Sequence, residues 1–186
     1  MKRCVYDFDK TIYDGDATAH FFRHCARRYP RIALDFLFGS CWYFVGMGLG
    51  LIEKTRAKGR FYRFLRFVPD IEAELSAFWA GHAHRIKRWY LETHRPDDLI
   101  ISASPTFLLE PICQTLRVEL IASLVAPRTG KTLGPNCHGE EKVKRMRAVC
   151  PDIRIETFYS DARSDAPLAA LAEDAFLVKG KRIAPW

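Results

Sequence analysis

The chain has 186 residues, 48% of them apolar and 27% charged, with a net charge of +7. That composition excludes a disordered chain, and the length leaves room for one full core plus an insertion. The positive balance favours anionic partners, but no helix-turn-helix, zinc-finger or RNA-binding pattern stands out, so nucleic acid is not an expected partner.

The first apolar run, Cys4-Val5-Tyr6, leads straight into Asp7-Phe8-Asp9-Lys10-Thr11. This reads as a buried strand that delivers two acids to its C-terminal end. Two carboxylates in one site repel unless a cation or a proton lies between them. The pair therefore points to a metal site, a nucleophile beside a proton donor, or both. Lys2-Arg3 is basic, but Asp7 and Asp9 fall where a signal peptide would be apolar, so none is expected.

Residues 15–96 differ in character: they are aromatic, basic and helical in pattern. A helix is expected over 17–29, with Asp16 as N-cap and Pro30 after it. Residues 36–52 carry no charge and include Trp42, Tyr43 and Phe44, interrupted by Gly39, Gly46, Gly48 and Gly50. The run is short for a membrane span; a buried hairpin is expected, with an interfacial segment as the alternative. Arg56, Lys58, Arg60, Arg63 and Arg66 follow, interleaved with Phe61, Tyr62, Phe64 and Phe67. They could meet a substrate anion, a membrane surface or water. A second helix is expected over 71–93, with Ile71, Leu75, Phe78, His82, Ile86 and Trp89 on one stripe.

From residue 97 strands and helices alternate. Strands are expected at 99–103, 118–122, 155–159 and 176–178, and helices at 106–116, 140–150 and 168–172. With the first strand this is a doubly wound, Rossmann-like α/β core whose ligands gather at the strand C-terminal ends. The strand at 99–103 ends in Ser102-Ala103-Ser104-Pro105, where a hydroxyl and backbone amides can hold an anion. Residues 123–135 read as a hairpin or loop. Thr129-Gly130-Lys131-Thr132 looks like the tail of a P-loop, but the upstream glycine it would need is Val125. Gly139 precedes a helix with Lys142 in its first turn. The strand at 155–159 runs into Asp161 and Asp165, and Pro167 opens a helix.

In this order the four pieces, Asp7/Asp9/Thr11, Ser102, Lys142 and Asp161/Asp165, resemble the haloacid dehalogenase superfamily. The resemblance is to its phosphatase branch and the phosphoserine-phosphatase-like subgroup, and it covers nearly the whole chain. It implies a catalytic core of 1–14 and 97–186, and a helical cap of 15–96 that closes over the site and selects the substrate. It further implies Asp7 as nucleophile, forming an aspartyl-phosphate, and Asp9 as acid and then base. Thr11, Ser102, the amide of Ala103 and Lys142 would hold the phosphoryl group. Asp7, Asp161 and the carbonyl of Asp9 would bind Mg²⁺, with Asp165 holding a metal-bound water or orienting Lys142.

Lys144 is the fallback for Lys142. Asp16 stands where phosphoserine phosphatases carry a Glu that holds the substrate amine. Arg163, where the family has a small residue, points to solvent or touches the substrate. The long apolar run followed by basic residues resembles bacterial phosphatidylglycerophosphate phosphatases of the same subgroup.

The expected activity is Mg²⁺-dependent hydrolysis of a small phosphomonoester. Its alternatives are a lipid phosphatase at the membrane surface, a phosphotransferase, and a non-catalytic binder of phosphoryl ligands or membranes. Cys4, Cys25, Cys41, Cys113, Cys137 and Cys150 form no C-x-x-C pair, and His82-Ala83-His84 lacks a partner pair at zinc-ligand spacing. Reduced thiols and a cytoplasmic location are expected, with possible peripheral membrane contact through the cap.

Overall fold

The structure, a computed structural model, describes residues 2–40, 42, 45, 48–49 and 59–186. Six strands form one sheet: β1 (Lys2–Tyr6), β2 (Leu99–Pro105), β3 (Glu119–Ser123), β4 (Arg154–Ser160), β5 (Ala172–Lys179) and β6 (Arg182–Pro185). Their order is β3-β2-β1-β4-β5-β6, parallel except for the antiparallel β5–β6 pair. The chain leaves β1 for β2 on one side and later returns to place β4 on the other. The C-terminal end of β1 is therefore the switch point, where an open α/β sheet leaves a crevice.

The side chains of β1 and β2 alternate between two cores, as the strand period requires. Val5, Leu99 and Ile101 pack with Met146, Phe158 and Leu168 on one face. Cys4, Tyr6 and Ile100 pack on the other, in a cluster that continues through Phe8 and Phe21 to Phe64, Phe78 and Tyr90. The segment between β1 and β2 thus shares one core with the sheet.

Helix α1 (Ala17–Arg28) starts where Asp16 accepts from the Ala19 amide at 2.8 Å, and it buries Ala17, Phe21 and Cys25. These lie four apart, as one helical face demands. Pro30 opens α2 (Pro30–Asp35), and a π-helical turn covers Phe36–Ser40. The expected hairpin at 36–52, and the basic positions Arg56 and Lys58, lie largely outside the described residues. Within that run Leu37, Phe38, Trp42, Val45 and Leu49 are exposed. Among the described residues no helix is long and apolar enough to cross a membrane.

The single helix expected over 71–93 is two helices, α3 (Ile71–His82) and α4 (Arg88–Thr93). Between them a 3-10 turn (Ala83–Arg85) leads to Ile86, which is extended and bridges Tyr13, while the Lys87 amide donates to the Ile12 carbonyl at 2.7 Å. Strand-like pairing with the loop after β1 outweighs helix continuation here. Ile86 stays buried, so the apolar stripe persists through the break.

The remaining helices are α5 (Thr106–Leu116), α6 (Glu140–Val149) and a short α7 (Ala166–Ala169). The last expected helix, 168–172, ends earlier than read, because Ala172 already pairs with Ile155 as the start of β5. The 123–135 segment is a hairpin: Val125 bridges Thr132, and the Ala126 amide donates to the Lys131 carbonyl at 2.9 Å.

Candidate active site

The chain extends β1 by one bond, Asp7 N–H to the Tyr159 carbonyl at 2.9 Å, then turns. The Ile12 and Tyr13 amides both donate to the Phe8 carbonyl, and Lys10 takes a positive φ of 58°. This single turn keeps Phe8, Ile12 and Tyr13 in the core and leaves Asp7 and Asp9 at the mouth of the crevice.

Lys142 is 2% exposed, and its ammonium donates to Asp7 Oδ1 at 2.6 Å and to Asp165 Oδ2 at 2.8 Å. Ser160 Oγ also donates to Asp165 Oδ2, at 2.7 Å. Asp165 therefore shares the Lys142 ammonium with Asp7. Burial would push the Lys142 ammonium down, but Asp7 and Asp165 outweigh it and hold the group above its usual range. Burial pushes Asp7 up, Lys142 pulls it back, and Asp165 and Asp161 push it up again. Lys144 is exposed and reaches only toward Glu141. Gly139, at φ 58°, lets the chain enter α6 so that its third residue faces inward.

Asp9 is held from the other side. The Ala17 amide donates to Oδ1 at 2.6 Å and Ser104 Oγ to Oδ2 at 2.5 Å. Thr18 Oγ1 lies 2.9 Å from Ser104 Oγ and, with the Ser104 proton committed to Asp9, donates to it. Burial, and next the charge of Asp16, push Asp9 up to about 7 even though these bonds favour its ionised form. An acid poised there can both give and take a proton near neutrality. Burial also raises Asp161, opposed by Lys10 and Lys179.

These groups border one cavity of about 680 Å³. Asp7, Asp9, Ala103, Lys142, Asp161 and Asp165 all face it, and so does Asp16 from the cap of α1. Two expected phosphate ligands do not border it. Thr11 is buried and donates to Asp7 Oδ2 at 3.3 Å. Ser102 is buried, and its Oγ accepts from the Ser104 amide at 3.1 Å.

Among the described residues no three acidic, His or Cys side chains form a ready metal cage. The donor set on hand is two carboxylates, Asp7 and Asp161, with backbone carbonyls nearby. Hard oxygens, few in number and with both acids pushed up by burial and by the charge of Asp165, fit an ion such as Mg²⁺ that keeps its own waters and takes phosphate oxygens.

The family model of haloacid dehalogenase-like hydrolases matches residues 4–170. The chain belongs to the haloacid dehalogenase-like hydrolase family. Comparison with curated proteins gives no match.

Among solved structures, a protein of unknown function from Bordetella pertussis Tohama I superposes with a TM-score of 0.72 at 19% identity, covering 94% of this chain and 88% of that one. A HAD family hydrolase from Salmonella enterica serovar Typhi gives 0.62 at 14%, covering 92% and 60%. A phosphoserine phosphohydrolase-like protein from Francisella tularensis gives 0.55 at 12%, covering 94% and 86%. At these identities the likeness is one of fold.

In this HAD hydrolase the cavity also has walls that the sequence did not assign. Lys10, Thr18, Arg23, Ser104 and His138 border it, as do Phe22, Phe36, Phe61 and Tyr62. Ser104 could have been found, since it extends Ser102-Ala103 by one small hydroxyl residue. Phe36, Phe61 and Tyr62 lie in segments that the sequence offered for substrate or membrane contact, but their approach to Phe22 could not be read, because it joins α1 to segments far along the chain. Arg163 turns away from the cavity residues and stacks on the Trp186 ring, its guanidinium carbon 5.2 Å from the centroid.

Proposed function

We propose that this HAD hydrolase is a Mg²⁺-dependent phosphatase that cleaves a phosphomonoester through an aspartyl-phosphate on Asp7. The observation that carries this reading is the division of labour between the two acids. Asp7 is bonded to a buried cation that offsets part of the upward push of burial, while Asp9, two residues on, takes its bonds from the neutral Ala17 amide and Ser104 hydroxyl and is pushed up to about 7. Acids whose environments differ in this way divide into nucleophile and proton carrier.

In the first step an Asp7 oxygen attacks phosphorus and the bond to the ester oxygen breaks. Asp9, protonated, gives its proton to that leaving alkoxide. In the second step Asp9, now a carboxylate, takes a proton from water as the water oxygen attacks phosphorus. The P–O bond to Asp7 breaks, and phosphate leaves with Asp7 restored. Lys142 holds Asp7 in place and offsets charge on the transferring group, and Ala103, whose amide would bond a phosphoryl oxygen, lines the same cavity.

Mg²⁺ would be held by Asp7, Asp161 and the Asp9 carbonyl, where it would offset the charge shared between phosphate and carboxylates. Phosphate release from a panel of phosphomonoesters, with and without EDTA, tests this. Metal-independent release, or none, would contradict it.

A second reading is favoured by one observation. Leu34, Leu37, Phe38, Trp42, Val45 and Leu49 are all large, apolar and exposed, and Arg27, Arg28 and Arg31 are exposed nearby in sequence. We propose that this side of the cap makes peripheral contact with an anionic membrane surface. The free thiols of Cys4, Cys25, Cys113, Cys137 and Cys150 suit a cytoplasmic enzyme.

A further inference from the structure

We propose that the ester cleaved here has an extended apolar body ending in a second anionic group, and that α1 sets the distance from the phosphoryl group to that anion. This rests on the phosphatase reading and names its substrate class.

Helix α1 is anchored at the reacting end. Its first amide, of Ala17, is bonded to Asp9 Oδ1, and Thr18 reaches Ser104. The residues it turns to the cavity are Thr18, Ala19, Phe22 and Arg23, spaced as one helical face. The opposite face, Ala17, Phe21 and Cys25, is locked in the core, so the helix cannot rotate about its axis. At 1.5 Å per residue, Arg23 stands about 9 Å along the axis from Ala17.

Between these ends lies an aromatic wall. The Phe22 ring centroid is 5.0 Å from that of Phe36 and 5.0 Å from that of Phe61, and Tyr62 adjoins Phe61 at 5.7 Å. Phe22, Phe36 and Phe61 are only partly buried and border the cavity. Rings that face a cavity without filling it favour an apolar ligand against them.

The cavity's cations divide the same way. Lys142 is bonded to Asp7, and Lys10 lies close enough to Asp161 to favour its ionised form, so both sit at the phosphoryl end. Arg23 is exposed and lies beyond Phe22. Its guanidinium suits a carboxylate or phosphate. At about 680 Å³ the cavity exceeds the needs of a phosphoryl group on a two- or three-carbon alcohol.

Three esters test this: ethyl phosphate, hexyl phosphate and 6-phosphonooxyhexanoate. All leave as primary alkoxides, so the chemistry at phosphorus is held nearly constant. KM should fall about tenfold or more from ethyl to hexyl, and about tenfold again when the terminal carboxylate is added. Arg23→Gln should bring the hexyl and hexanoate esters together, and Arg23→Lys should restore part of the gap. Equal KM for all three esters, or a hexyl-to-hexanoate gap that survives Arg23→Gln, would overturn the substrate class while leaving the phosphatase reading intact. Hydrolysis of none of them, nor of any other phosphomonoester, would overturn both.

Discussion

The Lys142 ammonium lies 2.6 Å from Asp7 Oδ1, joining residues 135 positions apart in a place almost closed to water. A cation so placed does two things. It favours the ionised form of a carboxylate that burial pushes up, and it stands beside the charge that would grow on a transferring phosphoryl group.

Replacing Lys142 should therefore be costly in a way that replacing its neighbour is not. Lys142→Ala should lower kcat/KM by roughly 10²–10³. It should also lower the thermal midpoint, because Asp7 and Asp165 are left buried without their cation. Lys144→Ala should change neither, since that side chain is exposed. Steady-state kinetics with thermal melts of the two variants check this.

The pH profile should report Asp9. In the first step Asp9 must carry a proton, so for an alkyl ester kcat/KM should decline as pH rises through about 7. Two substitutions should move that limb in opposite directions. Asp16→Asn keeps a capping side chain but removes a negative charge that raises Asp9, so the limb should shift to lower pH. Ser104→Ala removes a hydrogen bond that favours the carboxylate, so the limb should shift to higher pH. Shifts of the same sign in both variants would contradict the assignment.

The hairpin at 123–135 should prove to be a support for the cavity wall at Tyr62. Gly130 has a φ of 71°, and a Cβ there would come within 1.9 Å of the Tyr62 carbonyl oxygen, on a residue that borders the cavity. Gly130→Ala should lower stability by about 1–3 kcal/mol and raise KM, because the backbone of one segment must move. Thermal melts and KM for a long ester measure both effects.

Membrane contact through the cap can be read from vesicle sedimentation. Binding to anionic vesicles, weakening as salt rises, is expected. Arg63 is the position to reverse, since it is exposed. Arg60 lies 3.8 Å from Asp35, which also takes Arg66 at 3.0 Å, so part of the basic stretch serves an internal ion-pair cluster. Arg63→Glu should reduce sedimentation while sparing hydrolysis of ethyl phosphate. No binding at low salt would remove this reading.

Strands β1, β2 and β4 were legible because each carries an apolar run that gives way to polar residues, at Asp7, Ser102 and Asp161, although β2 itself continues to Pro105. Asp16 was legible as a cap by the same local chemistry. The break between α3 and α4 was not, since Ile86 keeps the helical stripe while its backbone pairs with Tyr13, a partner far along the chain. Strand β6 was missed because it is short and exposed, and Gly180 at φ 61° turns the chain into it without a marked apolar run. The aromatic wall of the cavity and the Arg60–Asp35 pair depend on tertiary approach, which periodicity does not encode.

The central claim is the covalent intermediate on Asp7, and acid-quench peptide mapping tests it most directly. The enzyme is mixed with an excess of a hydrolysable phosphomonoester and Mg²⁺, stopped in acid within a turnover, digested and analysed by mass spectrometry. The peptide containing Asp7 should carry the added mass of one phosphoryl group. With an aryl phosphate, whose leaving group needs no proton, the signal should be stronger in Asp9→Asn, whose second step lacks its base, and absent in Asp7→Asn, which should also be inactive. Turnover by Asp7→Asn, or phosphate carried on another residue, would contradict it.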